Sequence, residues 1–245
     1  MAIYQLLNDE VSKRKAISLQ KQYQKQLEKI QRKTEYLIDD QSIKLIMGLD
    51  ISYFGEKQKK GIGCGVLWNY LKNKQIDHYI KISEIKFPYI PGLLGFRESP
   101  LLAQLIMDSG FEPDLILCDG HGMIHPRKFG EAIQLGFALD IPSIGIAKSP
   151  FVGFSKWKSL ERKKGNRTEV WENKPNNSND RDNRTLGYAI CLADKRKPVF
   201  VSSGYKTDLG LALKIAVNTT RYHRQPEPLY LADQISRSER RRLTS

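Results

Sequence analysis

The sequence predicts an α/β fold in which a mixed central sheet, an antiparallel meander joined to parallel strands, is flanked by helices. Two patterns predict it. Three strand-like runs, residues 45–53, 61–70 and 76–86, follow one another with only the turn-forming stretches 55–60 and 72–74 between them, as in a meander. Beyond them a strand, a helix and a strand fill residues 114–147, the spacing of a parallel crossover.

Taken in order, residues 9–33 come first. Ala16, Leu19, Tyr23, Leu27 and Ile30 recur there at steps of three and four among basic residues and glutamines, so an amphipathic helix with a solvated basic face is expected. The meander follows. After Pro91 and Gly92 the pattern turns helical, with Ser99 as the expected N-cap, Pro100 in the first turn and an end near Gly110. Residues 114–118 read as a short apolar strand, 127–139 as a helix and 142–147 as a second apolar strand. Residues 156–184 are polar and basic and carry no apolar period, so they read as a surface insertion. Strands at 186–192 and 199–202, a helix at 208–222 and a basic tail with Arg240, Arg241 and Arg242 complete the chain. A length of 245 residues fits one domain with a substantial core.

Forty Lys and Arg against 27 Asp and Glu leave a formal charge of +13. Such a surface suits a polyanionic partner, but also plain solubility, so charge needs a site beside it before it indicates nucleic acid. Cys64, Cys118 and Cys191 are odd in number, widely spaced and set in apolar stretches, which suits reduced core thiols rather than disulfides or zinc. No basic, apolar and cleavage-site succession opens the chain, and no run of 18 apolar residues occurs, so a cytoplasmic setting without membrane insertion is expected. A monomer is the default expectation.

Asp50 lies inside the apolar run 45–51 and Asp119 closes the apolar run 115–118. Each could be an internal ion pair or a strand-end cap, since an uncompensated buried charge is costly. Two such acids on adjoining strands, with Glu98 at the expected loop-to-helix junction, can instead share a hard cation. Mg²⁺, with Mn²⁺ as substitute, takes oxygen ligands and bridges to phosphate oxygens, whereas no His or Cys cluster here has zinc spacing. Pro88-Tyr89-Ile90-Pro91 forms a stiff wedge, because the two prolines fix φ and push the residues before them extended. Its tip can fill a gap in a base stack, or Tyr89 can turn inward to the core.

At these residues a resemblance becomes specific. Gly48-Leu49-Asp50, the run from Phe87 through Pro88-Tyr89-Ile90-Pro91 to Glu98, the run Asp119-Gly120-His121-Gly122 through His125-Pro126-Arg127, and Gly145 through Lys148-Ser149 resemble successive motifs of the endonuclease V family. The likeness resumes at Val201 to Gly204 and from Pro226-Glu227-Pro228 to Ala232-Asp233. The order of elements also suits a ribonuclease H-like fold, which periodicity alone does not choose.

The resemblance implies a metal-dependent endonuclease that recognises deaminated purine, inosine with its hypoxanthine base, in DNA or RNA. It implies hydrolysis of the second phosphodiester bond 3′ to that base, leaving 3′-hydroxyl and 5′-phosphate ends, in the service of DNA repair. Asp50, Glu98 and Asp119 match the metal-binding acids, and the metal would activate water and stabilise charge on the phosphate. Lys148 matches a lysine near the scissile phosphate, where its point charge would help anchor it, with a solvated strand-end lysine as the alternative. His125 would hydrogen-bond to phosphate or to a water on the metal, where a lone histidine is more often structural. Asp233 matches an acid-or-histidine position and is a possible addition to the centre, or an ordinary helix charge. Tyr89 would hold strands apart while the base is flipped, with Gly120, His121 and Gly122 offering backbone to the base and Ser149 and Phe151 forming another wall.

Three other readings stay open from sequence. One is an inosine-specific endoribonuclease. Another keeps the fold and acids but takes RNA–DNA hybrids or junctions, which leaves the wedge without a purpose. The last is a non-catalytic basic nucleic-acid-binding protein, whose affinity three clustered acids would weaken.

Overall fold

The computed structural model describes residues 3–31, 36–175 and 183–244. Strands β1 (Leu45–Phe54), β2 (Lys60–Asn69) and β3 (Lys74–Glu84) form the expected antiparallel meander. Strands β4 (Leu115–Cys118) and β5 (Ser143–Ala147) run parallel to β1, joined by helix α3 (Glu131–Leu139), so the crossover is present. Strands β6 (Arg167–Trp171), β7 (Thr185–Ile190) and β8 (Val199–Ser203) complete a mixed sheet in the order β3-β2-β1-β4-β5-β8-β7-β6.

Both faces of the sheet are covered, and side-chain alternation along the central strands decides what goes where. Met47, Leu49, Ile116 and Cys118 pack with helix α2 (Leu94–Ser109) and α3. Their neighbours Ile46, Leu115 and Leu117 face the other way, toward helices α4 (Leu209–Asn218) and α5 (Glu227–Thr244). Helix α1 (Lys13–Gln31) lays its Ala16, Leu19, Tyr23 and Leu27 stripe on Phe87, Phe129 and Phe137 beside α2 and α3. The expected end of that helix at Lys33 falls outside the described residues.

Several boundaries differ from expectation. Helix α2 begins more than a turn before Ser99, because burying Leu93 and Phe96 against Phe87 winds the chain early. Ser99 is therefore no cap: its hydroxyl is buried without a partner, and Pro100 sits inside the helix, where it leaves the Phe96 carbonyl without its i+4 donor. Helix α3 starts at Glu131 rather than residue 127, because the His125 ring accepts the Arg127 and Phe129 amides and Lys128 takes a positive φ of 49°. Helix α4 stops at Asn218, where the Thr219 and Thr220 hydroxyls bond back to the Ile215 and Ala216 carbonyls.

The stretch 156–184, expected to lack regular structure, contains β6. As the outermost strand it buries Val170 alone, which is why no apolar alternation marks it. The three cysteines are buried and unpaired, and burial pushes the Cys64 thiol up to about 12. Among the described residues no helix is long and apolar enough to cross a membrane.

Candidate active site

Asp50 on β1 and Asp119 just past β4 share a face because both follow the alternation that sends Ile46 and Leu117 toward α4 and α5. The strands are parallel neighbours with Leu49 opposite Cys118, so both carboxylates emerge at the same end of the sheet. Helix α5 supplies the third acid. Gly48 lets it approach: a Cβ there would lie 2.5 Å from the Pro228 carbonyl carbon. The Pro226-Glu227-Pro228 segment thus seats α5 against β1, and one turn on, Asp233 hangs over Asp50 and Asp119. Oxygens of Asp50, Asp119 and Asp233 all lie within 4.8 Å of one another.

That geometry is electrostatically costly without a cation. Burial, then the charges of Asp119 and Asp233, push the Asp50 carboxyl well above its usual range. Lys148, following β5, offsets part of the charge, with its Nζ 2.5 Å from Asp119 and 3.4 Å from Asp233. Burial works against its ammonium, but the three aspartates carry its pKa above the ordinary value. Arg237 adds a second ion pair to Asp233 at 2.9 Å. Ser236 donates to Asp50 at 3.0 Å and accepts from Ser52 at 2.8 Å. A set of three carboxylates with no sulfur or imidazole among them fits a hard divalent cation such as Mg²⁺ or Mn²⁺, and Asp50, Asp119 and Asp233 would hold it.

Glu98 reaches the same cleft, of about 410 Å³, from the α2 side. It accepts a 2.5 Å bond from the Tyr53 hydroxyl, over whose ring the Arg97 guanidinium lies at 4.5 Å. Placed inside α2 rather than before it, Glu98 stands across the strand ends from Asp233, so the tight trio takes Asp233 where Glu98 was expected. Beside it lies an acid that sequence reasoning missed, Glu131 at the first position of α3. Burial first, and then the Glu98 charge, push its carboxyl well above the usual range, although a helix N-terminus favours the anion. Its Oε2 sits under Gly120, where a Cβ would come within 2.3 Å. The one sequence signal is a glutamate in the otherwise apolar run 129–133.

A second recess, of about 190 Å³, opens next to the acids, and Glu131 lines both. Tyr89, Ile90 and Pro91 form one wall and Ser149, Pro150 and Phe151 another, with His121 and His125 between them. Tyr89 is 71% exposed, so the tip points outward and does not fold into the core. Pro88 is exposed. The His121 Nε2 donates to the Ser149 carbonyl at 2.9 Å, tying the two loops together, and its ring lies 5.8 Å from Phe151.

Three of the expected residues are engaged within the protein itself. His125 is buried away from the acids; its Nδ1 accepts backbone amides, so its Nε2 carries the proton and donates to the Gly92 carbonyl at 3.0 Å. Burial, then the Arg127 charge, push its pKa down to about 3, and both ring nitrogens are taken up by backbone groups. Gly122 spends its amide on Ser202 Oγ at 2.9 Å, and a Cβ there would lie 2.1 Å from the Ser203 carbonyl oxygen. Gly120 is filled against Glu131 in the same way. These glycines allow backbone and side chains to close up inside the protein, and the Gly122 amide is not free to read a base.

The sheet order, the crossover and acids gathered at the ends of adjacent parallel strands define a ribonuclease H-like fold with a nuclease-type acidic centre. The endonuclease V family model matches residues 24–234. Endonuclease V of Dictyoglomus turgidum is 35% identical over 190 residues, 78% of this chain and 77% of the relative. The crystal structure of endonuclease V from Streptomyces avermitilis superposes with a TM-score of 0.79 at 27% identity, covering 96% of each chain. That of a Ciona intestinalis endonuclease V variant, in complex with DNA containing an inosine followed by a ribo-adenosine, has a TM-score of 0.77 at 28% identity and covers 95% of this chain and 100% of that one. The chain belongs to the endonuclease V family and is a nuclease.

Proposed function

We propose that the protein is a Mg²⁺-dependent endonuclease, with Mn²⁺ as substitute, that recognises inosine in DNA or RNA. It cuts the second phosphodiester bond 3′ to that nucleotide, acts in DNA repair, and works as a cytoplasmic monomer. The observation that carries this reading is the adjacency of two sites, the Asp50, Asp119 and Asp233 trio and a recess walled by a stiff exposed wedge. The Ciona relative, bound to inosine-containing DNA, supports the substrate class.

A divalent cation held by the three aspartates, with Glu98 across the cleft, supplies charge stabilisation for the phosphate and a more acidic water. The protein's own groups do the rest. Lys148, beside Asp119 at the cleft, is placed to hold a non-bridging phosphate oxygen. Tyr89 fills the gap left when the base leaves the stack, which lowers the cost of flipping. Phe151 and the wedge face the flipped base, and the protonated Nε2 of His121 fixes the Ser149 wall. Water oxygen then bonds to phosphorus as the bond to the 3′ oxygen breaks. The 5′-phosphate stays on one fragment, and the 3′ oxygen takes up a proton to become a hydroxyl.

The test is incubation of the purified protein with labelled inosine-containing DNA and RNA strands, with Mg²⁺ and with EDTA. Cleavage in Mg²⁺, lost in EDTA and in Asp50→Ala and Asp119→Ala, is expected; cleavage in EDTA or by either variant refutes the reading.

A further inference from the structure

The wedge is short and exposed at its Tyr89 tip, with Ile90 packed against the core beneath it and both stems gripped from outside. Residues 88–91 lie between two buried carbonyls, and each is gripped by side chains from elsewhere in the fold. On the incoming stem the Phe87 carbonyl accepts from Arg97 Nη1 at 2.7 Å, while Nη2 of the same guanidinium donates to the Gln58 carbonyl at 3.0 Å. On the outgoing stem three donors converge on the Gly92 carbonyl: His125 Nε2 at 3.0 Å, Arg127 Nη2 at 2.5 Å and Gln20 Nε2 at 3.2 Å.

Gln20 is the unexpected member. It sits in the middle of the buried stripe of α1, between Leu19 and Tyr23, and is 1% exposed. Its Nε2 also donates to the Phe129 carbonyl at 3.2 Å, and its Oε1 accepts from Arg127 Nε at 2.6 Å. Two carbonyls on one side and a guanidinium N–H on the other leave the amide a single orientation that satisfies both ends. All of its hydrogen-bonding capacity toward the loop is spent on Gly92, Phe129 and Arg127, so although it lines the recess it has no N–H left for a ligand. Gly92 itself has φ +82°, which calls for glycine, and a Cβ there would press on Arg127 Nη2 at 2.7 Å.

The same carbonyl is the joint between the wedge and α2, because Leu93 and then the helix follow directly. A carbonyl fixed from three directions sets both the angle at which Tyr89 leaves the surface and the start of the helix that carries Glu98. We propose that Gln20, acting with Arg127, is a positioning residue for base recognition, through which the N-terminal helix sets the wedge. This rests on the proposed role of the wedge.

The experiment is a double-mutant cycle of Gln20→Met with Tyr89→Ala, read as KM and kcat on inosine-containing duplex and single strand, with thermal melts to verify folding. Gln20→Met keeps the length and removes every polar contact. The duplex kcat/KM is expected to fall by about tenfold through KM, within the scale that misplacing a positioning element costs, with single-strand cleavage far less affected. In the Tyr89→Ala background the same change should add almost nothing, because both act through one element. Should Gln20→Met fold poorly, Arg127→Lys, which keeps the charge but loses the forked contact, takes its place and is expected to behave alike. Additive losses, or equal losses on duplex and single strand, overturn the proposal while leaving the wedge intact. Wild-type duplex cleavage by Tyr89→Ala alone overturns the wedge reading itself, and this proposal with it.

Discussion

Lys148 Nζ lies 2.5 Å from Asp119 Oδ2, so the lysine holds the charge that a divalent cation would neutralise. Lysine and cation therefore compete for the same carboxylates. Lys148→Ala should tighten Mn²⁺ binding, measured by titration calorimetry, while lowering cleavage by about 10²-fold, the scale of losing one electrostatic group at a reacting phosphate. Weaker metal binding in the variant would contradict this placement.

Glu131 predicts a stability gain. Its carboxyl pKa is raised by burial and by Glu98, so above its ordinary value of 4.5 the unfolded chain releases a proton that the folded chain keeps. Stability from this group is full below that pH and falls as pH rises toward the folded pKa. Glu131→Gln removes the titration. In EDTA at pH 8 the variant should melt a few degrees higher, on the order of 1 kcal/mol, and the difference should vanish near pH 4. A variant less stable at pH 8 by the same measure would show that Glu131 is held as a useful anion.

His125 works in the opposite sense. Its folded pKa of about 3 lies below the ordinary 6.5, so the unfolded state binds the extra proton. The stability it contributes is present above pH 6.5 and is lost as pH falls toward 3. Melts in EDTA from pH 7 to 4 should show a steeper loss for the wild type than for His125→Asn. Parallel curves would mean that the imidazole is not held neutral under Gly92.

Tyr89, exposed at the tip of the wedge, should matter only where there is a stack to enter. Tyr89→Ala is expected to lower inosine-duplex cleavage by about tenfold or more, since unstacking costs a few kcal/mol, and single-strand cleavage much less. Equal effects on both substrates would make Tyr89 a general contact.

How far the sequence reached follows from what each residue depends on. Asp50 and Asp119 were legible because strand alternation places them locally, one inside an apolar run and the other closing one. Asp233 read only as a secondary acid because its place in the trio depends on α5 approaching β1 at Gly48, a tertiary contact with no local signature. Ser99 and Pro100 imitate a helix start, and only the burial of Leu93 and Phe96 overrides them. Strand β6 escaped notice because an edge strand with Val170 as its one buried side chain leaves no pattern. Gln20 was invisible for a similar reason, since a glutamine within a basic, glutamine-rich helix reads as solvated until its partners on the wedge and the Phe129 loop are known.

The central claim is that the recess and the acid trio act together at a fixed spacing along one strand. The direct test is to map cut positions on matched strands that differ only in carrying inosine or adenosine, in Mg²⁺. A single cut at the second phosphodiester 3′ to inosine, with 3′-hydroxyl and 5′-phosphate ends and an intact adenosine strand, is the predicted result. Equal cutting of the adenosine strand, or cuts at no constant offset from inosine, would leave a nuclease but contradict recognition of a deaminated base.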